Sequence, residues 1–167
     1  MADDPTPDID EAPDPHPAHG GPFVTDAFVL PSPPRTERFW LEPLGLEHNE
    51  ADYEAWTSSM EHIHATPGFE SKRWPHPMTL DENAGDLREH ADHFARRLGF
   101  TYTVRSCADD DVIGCVYIYP SRNASMDASV RSWVRASQAE LDVELWRTVV
   151  GWLDSEWPFA TVDYAPR

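Results

Sequence analysis

Cysteine is scarce. Cys107 and Cys115 are the only thiols in 167 residues, too few for a disulfide framework, and a reducing cytoplasm is the default compartment for such a chain. Positive charge is scarce as well: 13 basic side chains face 30 acidic ones, for a net charge of −17. A surface of that sign repels phosphate backbones and anionic lipid, which argues against nucleic-acid and membrane binding. No run of about 18 apolar residues is present, so nothing reads as a membrane-spanning helix. The first residues lack the basic and apolar regions of a secretory signal. P-loop and nucleophile-elbow patterns are missing too.

What is present divides unevenly along the chain. Residues 1–35 hold nine of the 16 prolines, and seven acids against one base, Arg35. The stretch DDPTPDIDEAPDPHPAHGGP has little to bury and cannot offset its own ordering entropy, so a disordered acidic tail is expected over 1–35 and a folded domain over 36–167. Phe23–Pro34 is more apolar and is placed where it can lean on the domain. Folding itself is expected to need only the residues after Pro34.

From Thr36 the periodicities become regular. Glu37–Leu44 alternates Phe39 and Leu41 with Trp40 and Glu42, the pattern of a first strand. Tyr53, Trp56, Met60 and Ile63 then recur at helical spacing, with Asn49 as a cap. Thr66–Met78 is a loop punctuated by Pro and Gly. A second helix is expected over Leu80–Leu98, with Leu87, Ala91, Phe94 and Leu98 on one face and Gly99 as its stop. Phe100–Ser106, Val112–Ser121 and Asp127–Ala136 read as three successive strands. A third helix carries a wide apolar stripe of Leu141, Leu145, Val149 and Leu153, with Trp146, Val150 and Trp157 beside it. Phe159–Ala165 is a closing strand. The order is β-α-α-β-β-β-α-β, which defines an α+β domain: antiparallel hairpins and one βαβ crossover forming a mixed sheet flanked by helices.

That order, and the wording of RFWLEPLGLEHNEADYEAW, VIGCVYIYP and VRSWVRAS followed by LWRTVVGWL, resembles the GNAT acyltransferase family over residues 36–165. The resemblance implies a mostly antiparallel GNAT-like sheet, truncated after its fifth strand. It also implies acetyl-CoA or another acyl-CoA as co-substrate and no metal. A small-molecule or protein amine would be the acceptor. Family members bind the pantetheine arm along the backbone of the fourth strand, which carries over to Trp133, Val134 and Arg135. The diphosphate would meet Ser137, Gln138, Ala139, Glu140 and Leu141. The family's loop there is Q/R-x-x-G-x-G/A, whose glycines let backbone N–H groups close on phosphate. This chain has no glycine in that stretch and places Glu140 and Asp142 beside it. Ser137 followed by Glu140 reads instead as a capping box. A tyrosine on a helix after the fifth strand often serves family members as general acid; that helix is outside this sequence, and Tyr164 lies on the strand itself.

The candidate chemistry is sparse. Asp127 and Asp163 are the carboxylates whose strand positions suit a GNAT general base, and each also reads as a solvated edge charge. Trp56, His62 and His64 lie where the resemblance puts an acceptor-binding cleft. His90 and His93 are one turn apart, a spacing metals use, but the helix pattern puts His93 well off the core face and His90 on its margin, as a solvated flank. His16 and His19 lie in the tail. The run Asp81-x-Asn83-x-Gly85 misplaces its glycine and lacks the closing Glu of a calcium loop. Two functions therefore stand side by side: an N-acyltransferase, and a non-catalytic GNAT-like binding module that has lost the diphosphate site. The fifth strand is left with one open edge, an invitation to a homodimer or a partner protein.

Overall fold

The computed structural model describes residues 22–167. Its five strands form one sheet whose spatial order is the chain order, β1 (Phe39–Pro43), β2 (Phe100–Ser106), β3 (Val112–Pro120), β4 (Ala128–Val134) and β5 (Val162–Tyr164). The first four are antiparallel neighbours, and β5 runs parallel to β4. The mixed, mostly antiparallel α+β architecture expected from the periodicities is the one observed.

Alternation along the strands sorts the core into two layers. Phe39 and Leu41, Phe100 and Tyr102, Val116 and Ile118, with Val130, face α4 (Asp142–Glu156), which buries Leu145, Val149, Trp152 and Leu153 against them. Cys115 and Trp133 face the other way, into a layer made by Trp56 of α1 (Asn49–Thr57), Ile63 of α2 (Met60–Ala65), Phe69 of the following loop and Leu87 of α3 (Leu80–Ala95). At Gly114 the β3 backbone meets β4 too closely for any side chain, since a Cβ there would stand 2.2 Å from the Trp133 carbonyl oxygen.

Helix boundaries differ from the sequence expectation in three places. The first helix is two: a short 3-10 turn (Leu46–His48) leads into α1, and the chain then breaks at Ser59. The Ser59 hydroxyl is spent on the backbone N–H of Ala136, 2.9 Å away, which ties the break to the end of β4. α3 ends at Ala95, not Leu98, because Arg97 takes the left-handed conformation (φ 59°) usually reserved for glycine. Gly99 serves a different need, the close approach of the Tyr119 ring. The start of α3 is fixed by a capping box: Thr79 Oγ1 accepts from the Glu82 N–H (3.1 Å), and the Glu82 carboxylate accepts from the Thr79 N–H (2.7 Å). The capping box expected of Ser137 and Glu140 does not form; that segment is a 3-10 turn (Ala136–Leu141), kinked at Gln138 and without a side-chain cap.

The apolar part of the expected tail lies on the domain. Val24 is buried, Phe23 stacks on Phe159 (5.0 Å between centroids) and Phe28 packs against Trp157 (5.7 Å). Arg97 donates to the carbonyls of Thr25 and Phe28. The packed chain thus begins well before Thr36, because four apolar side chains (Phe23, Val24, Phe28 and Leu30) find the open end of the α4 layer. The remainder of the tail, residues 1–21 with His16 and His19, lies outside the described residues.

A polar network holds α1 to α3. Asn83 donates to Asn49 Oδ1 (2.9 Å) and Asp52 Oδ2 (3.1 Å), and accepts from the Trp56 indole (3.0 Å). Burial pushes the Asp52 carboxyl up to about 6, against the pull of its Asn83 bond and of His48. A carboxyl raised in the folded state retains a proton that the unfolded chain has released, so the stability it contributes is present in acid and is lost as pH rises through the folded value.

Two outcomes are expected. Removing residues 22–33 should lower the melting temperature by about 5 °C or more, a loss on the order of 1 kcal/mol or above; an unchanged melting curve would show that the strap adds nothing. Asp52→Asn keeps an oxygen acceptor for Asn83. It should match or exceed the parent in stability near pH ~8, by up to roughly 2–3 kcal/mol, with the advantage fading near pH ~5. A variant less stable than the parent at both pH values would show that the ionised carboxylate is a net stabiliser.

Candidate functional site

β4 and β5 pair only from Ala128–Val162 to Val130–Tyr164, and β4 then runs on alone to Val134. The pairing of the two parallel strands is thus lost past Val130 and Tyr164, which leaves the β5-facing edge of β4 without a strand partner there, the splay. The N–H of Arg135 donates back to Ile113 on β3 (2.8 Å), so by strand alternation Ser132 and Val134 direct their backbone groups into the opening. The floor carries two hydroxyls, Ser132 Oγ and Tyr164 Oη, 2.6 Å apart, with burial pushing the Tyr164 phenol up to about 12.

Arg167 lies across this opening. Its guanidinium donates to the Ser132 carbonyl (2.9 Å) and, from Nε, to Asp142 Oδ2 (2.6 Å) at the start of α4. Its side chain is 3% exposed. Three buried polar atoms on α4, Asp142 Oδ1 and the indole N–H groups of Trp146 and Trp152, have no hydrogen-bond partner among the described residues; the first two lie beside Arg167 and Tyr164. A buried acceptor and a buried donor left over on one helix beside one opening are what a ligand or ordered water would satisfy.

The expected pantetheine and diphosphate residues are brought together at this end of β4, with different side-chain duties. The Trp133 indole is wholly buried on the opposite face and donates to Tyr117 Oη (3.1 Å). Val134 is buried toward α4. Arg135 reaches α1, donating to Glu54 (2.7 Å). In the 3-10 turn, Ser137, Ala139 and Glu140 are exposed, Gln138 is half-buried and donates its N–H to the Arg135 carbonyl (2.9 Å), and Leu141 is buried. Glu140 faces Arg38 at 3.9 Å. The N–H of Ala136 is already held by Ser59, so the turn's leading amide is not offered to an anion.

The two candidate bases fare differently. Asp127 accepts from the backbone N–H groups of Ala160 (2.7 Å) and Thr161 (3.0 Å), which shapes the approach to β5. Asp163 is exposed on β5, opposite Ser129. Among the acceptor candidates, Trp56 is entirely buried and presents no surface to a substrate. His64 Nε2 is bonded to the Pro75 carbonyl (2.7 Å), and His62 Nε2 is buried without a partner among the described residues.

His90 and His93 correct the sequence reading. They are not a solvated flank: α3 turns both toward β3, where Tyr119 Oη lies 2.9 Å from His90 Nδ1 and 3.0 Å from His93 Nδ1. Thr101 Oγ1 adds a contact of 3.0 Å to His90. Burial, with the charges of His93 and Arg131, pulls the His90 imidazole down to about 4, so it is neutral at pH 7. The pattern missed this because a polar residue opposite a strand tyrosine satisfies a core position without being apolar. No group of three potential metal ligands occurs among the described residues.

The fold of the chain matches those of solved acetyltransferases. A ribosomal-protein-S5-alanine acetyltransferase from Vibrio fischeri is 13% identical, with a TM-score of 0.56 over 74% of this chain and 67% of that one. An acetyltransferase from Salmonella typhimurium that modifies the N-terminal serine of ribosomal protein L7/L12 is 10% identical, with a TM-score of 0.56 over 72% and 66%. The microcin C7 self-immunity acetyltransferase MccE, solved with acetyl-CoA and AMP, is 13% identical, with a TM-score of 0.54 over 78% and 71%. The chain has the GNAT fold and spans about two thirds of the length of these structures. At such identities the likeness is one of architecture. No protein-family model and no curated protein matches the sequence.

Proposed function

We propose that the chain is a GNAT-type N-acyltransferase. It would move an acyl group, acetyl being the simplest, from a coenzyme A thioester to an amine of a small molecule or protein. The splay of β4 from β5 is the observation that carries this reading. It turns backbone groups of Ser132 and Val134 toward the place of an extended thioester arm, with Arg167 held on the Ser132 carbonyl, and two of the unsatisfied polar atoms of α4 flank it. In the transfer the amine nitrogen bonds to the thioester carbonyl carbon, the C–S bond breaks with its electron pair leaving on sulfur, and the amine loses a proton. The protein's contribution would be chiefly to position the two reactants.

The rival reading, a binding module without catalysis, is favoured by one specific group of residues. Arg167 occupies the Ser132 carbonyl, and Glu140 and Asp142 bring negative charge to the place where a diphosphate would sit. A calorimetric titration with acetyl-CoA and free CoA separates the two. In the double variant Arg167→Ala, Asp142→Asn both the obstruction and one charge are gone, and affinity should rise about tenfold over the parent, equivalent to about 1.4 kcal/mol. Absence of binding in both proteins would overturn the acyltransferase reading and leave the binding module.

Assembly belongs to the same reading. β5 is an edge of the sheet, three residues long, with half-buried Val162 and Tyr164 flanking exposed Asp163. We infer that a second copy pairs along it. Light scattering should then give twice 19.0 kDa, and the monomer mass at tens of micromolar would refute the pairing.

A further inference from the structure

The arginines of this acidic chain are, with one exception, visibly partnered wherever their charge is held against the fold. Arg38 meets Glu144 (3.2 Å), Arg96 meets Asp92 (3.1 Å), Arg105 meets Glu42 (2.8 Å), Arg135 meets Glu54 (2.7 Å) and Arg167 meets Asp142 (2.6 Å). Arg97 is satisfied by two carbonyls. Arg131 stands apart. It lies on β4 opposite Tyr117, half-buried, and makes no hydrogen bond or ion pair with any described residue. Its contact is with a ring: the guanidinium carbon lies 5.6 Å over the centroid of Phe69. Its stem passes Gly68, where a Cβ would be 3.5 Å from the Arg131 Cγ. A guanidinium carries five N–H donors in a planar fork, and withdrawing it from water without an acceptor is costly.

A second cation shares the spot. Lys72, the chain's single lysine, sits on the same loop as Phe69; burial, then the charges of Arg131 and Arg122, lower its pKa. Asp163 acts on both Lys72 and Arg131 but comes within ion-pair distance of neither. Two cations that repel each other, one of them over an aromatic ring, gather positive charge in a chain of net charge −17. The remaining lining is His90 and Tyr117, whose rings lie 5.6 Å apart.

We propose that Arg131 and Lys72 form an oxyanion-binding site for a small ligand bearing a carboxylate or phosphate, held between the loop after α2 and the α1–α3 face of β4. Arg131 grips two oxygens with its fork, and Lys72 closes from the loop as a point charge. Arg131 is the neighbour of Ser132, whose backbone opens into the splay. If the acyltransferase reading holds, the ligand is the acceptor, an amine that also carries an acidic group. That role rests on the acyltransferase reading; the anion site does not.

The test uses the full chain without any acyl donor. Sodium phosphate and sodium acetate are titrated separately against sodium chloride at constant ionic strength, and the melting temperature is followed. A saturable rise with phosphate, acetate or both, absent with chloride, is expected, and the arm that responds identifies the group. Arg131→Gln should weaken the apparent affinity by roughly tenfold or more, the loss of a charge-assisted bidentate contact. Lys72→Gln, on the loop, should weaken it by a smaller factor and serves as the readout if Arg131→Gln does not fold. No response beyond chloride in the parent, or the same response in both variants, overturns the site. Loss of acetyl-CoA binding with the oxyanion response intact would remove only the acyltransferase reading.

Discussion

The carboxamide of Asn83 is the polar contact on which the helical layer above β3 and β4 depends. One side chain uses both its donor and its acceptor sides to hold Asn49, Asp52 and Trp56 of α1. The consequence is positional. With α1 locked to α3, Tyr53 reaches the Met78 carbonyl (2.7 Å) and Asn49 the Leu80 carbonyl (3.2 Å). The loop between α2 and α3 is thereby pinned at its far end and brings Phe69 and Trp74 down onto Tyr117 and Trp133. A buried amide of this kind fixes one arrangement because every alternative strands a polar group in the core.

Charge placement gives the same region its character. Most of the excess acid is spent on solvated surface, while the buried cations are matched individually, by carboxylates at Arg105, Arg135 and Arg167 and by carbonyls at Arg97. The two sides of β4 then differ in kind. Toward α4, Arg167 and Asp142 neutralise one another inside the splay. Toward α1–α3, Arg131 has no ion pair with a described residue and lies over the ring of Phe69. One strand thus separates an opening spanned by an ion pair from a face that carries a cation over an aromatic ring.

The fold was legible because period carries it. Phe39 and Leu41, the apolar run of Val112–Pro120 and the stripe Leu145–Val149–Leu153 each announce their element and their buried face without tertiary information. The site was less legible, for physical reasons attached to particular residues. Trp56 looked like a binding aromatic because sequence cannot tell a cleft-lining ring from a fully buried one whose N–H is taken by Asn83. His90 and His93 looked solvated because a histidine bonded to a strand tyrosine is core by geometry and polar by composition. Asp127 looked like a base because its two backbone donors come from residues about thirty positions away. Arg167 carried no sequence signal at all; its importance lies wholly in what it faces across the splay.

Strand order equal to chain order bears on how the molecule is assembled. β2, β3 and β4 form a continuous meander joined by two short turns, so their pairings close small loops. β1 must wait across the whole helical segment for β2, and β5 must wait for α4. Loop-closure entropy therefore favours the central meander as the earliest structure, with both edge strands joining later. The splay is thus bordered by a late-joining strand, the shortest of the five, which adds only half-buried Val162 and Tyr164 to the layer beneath. The geometry of that opening can therefore vary without endangering the fold below it.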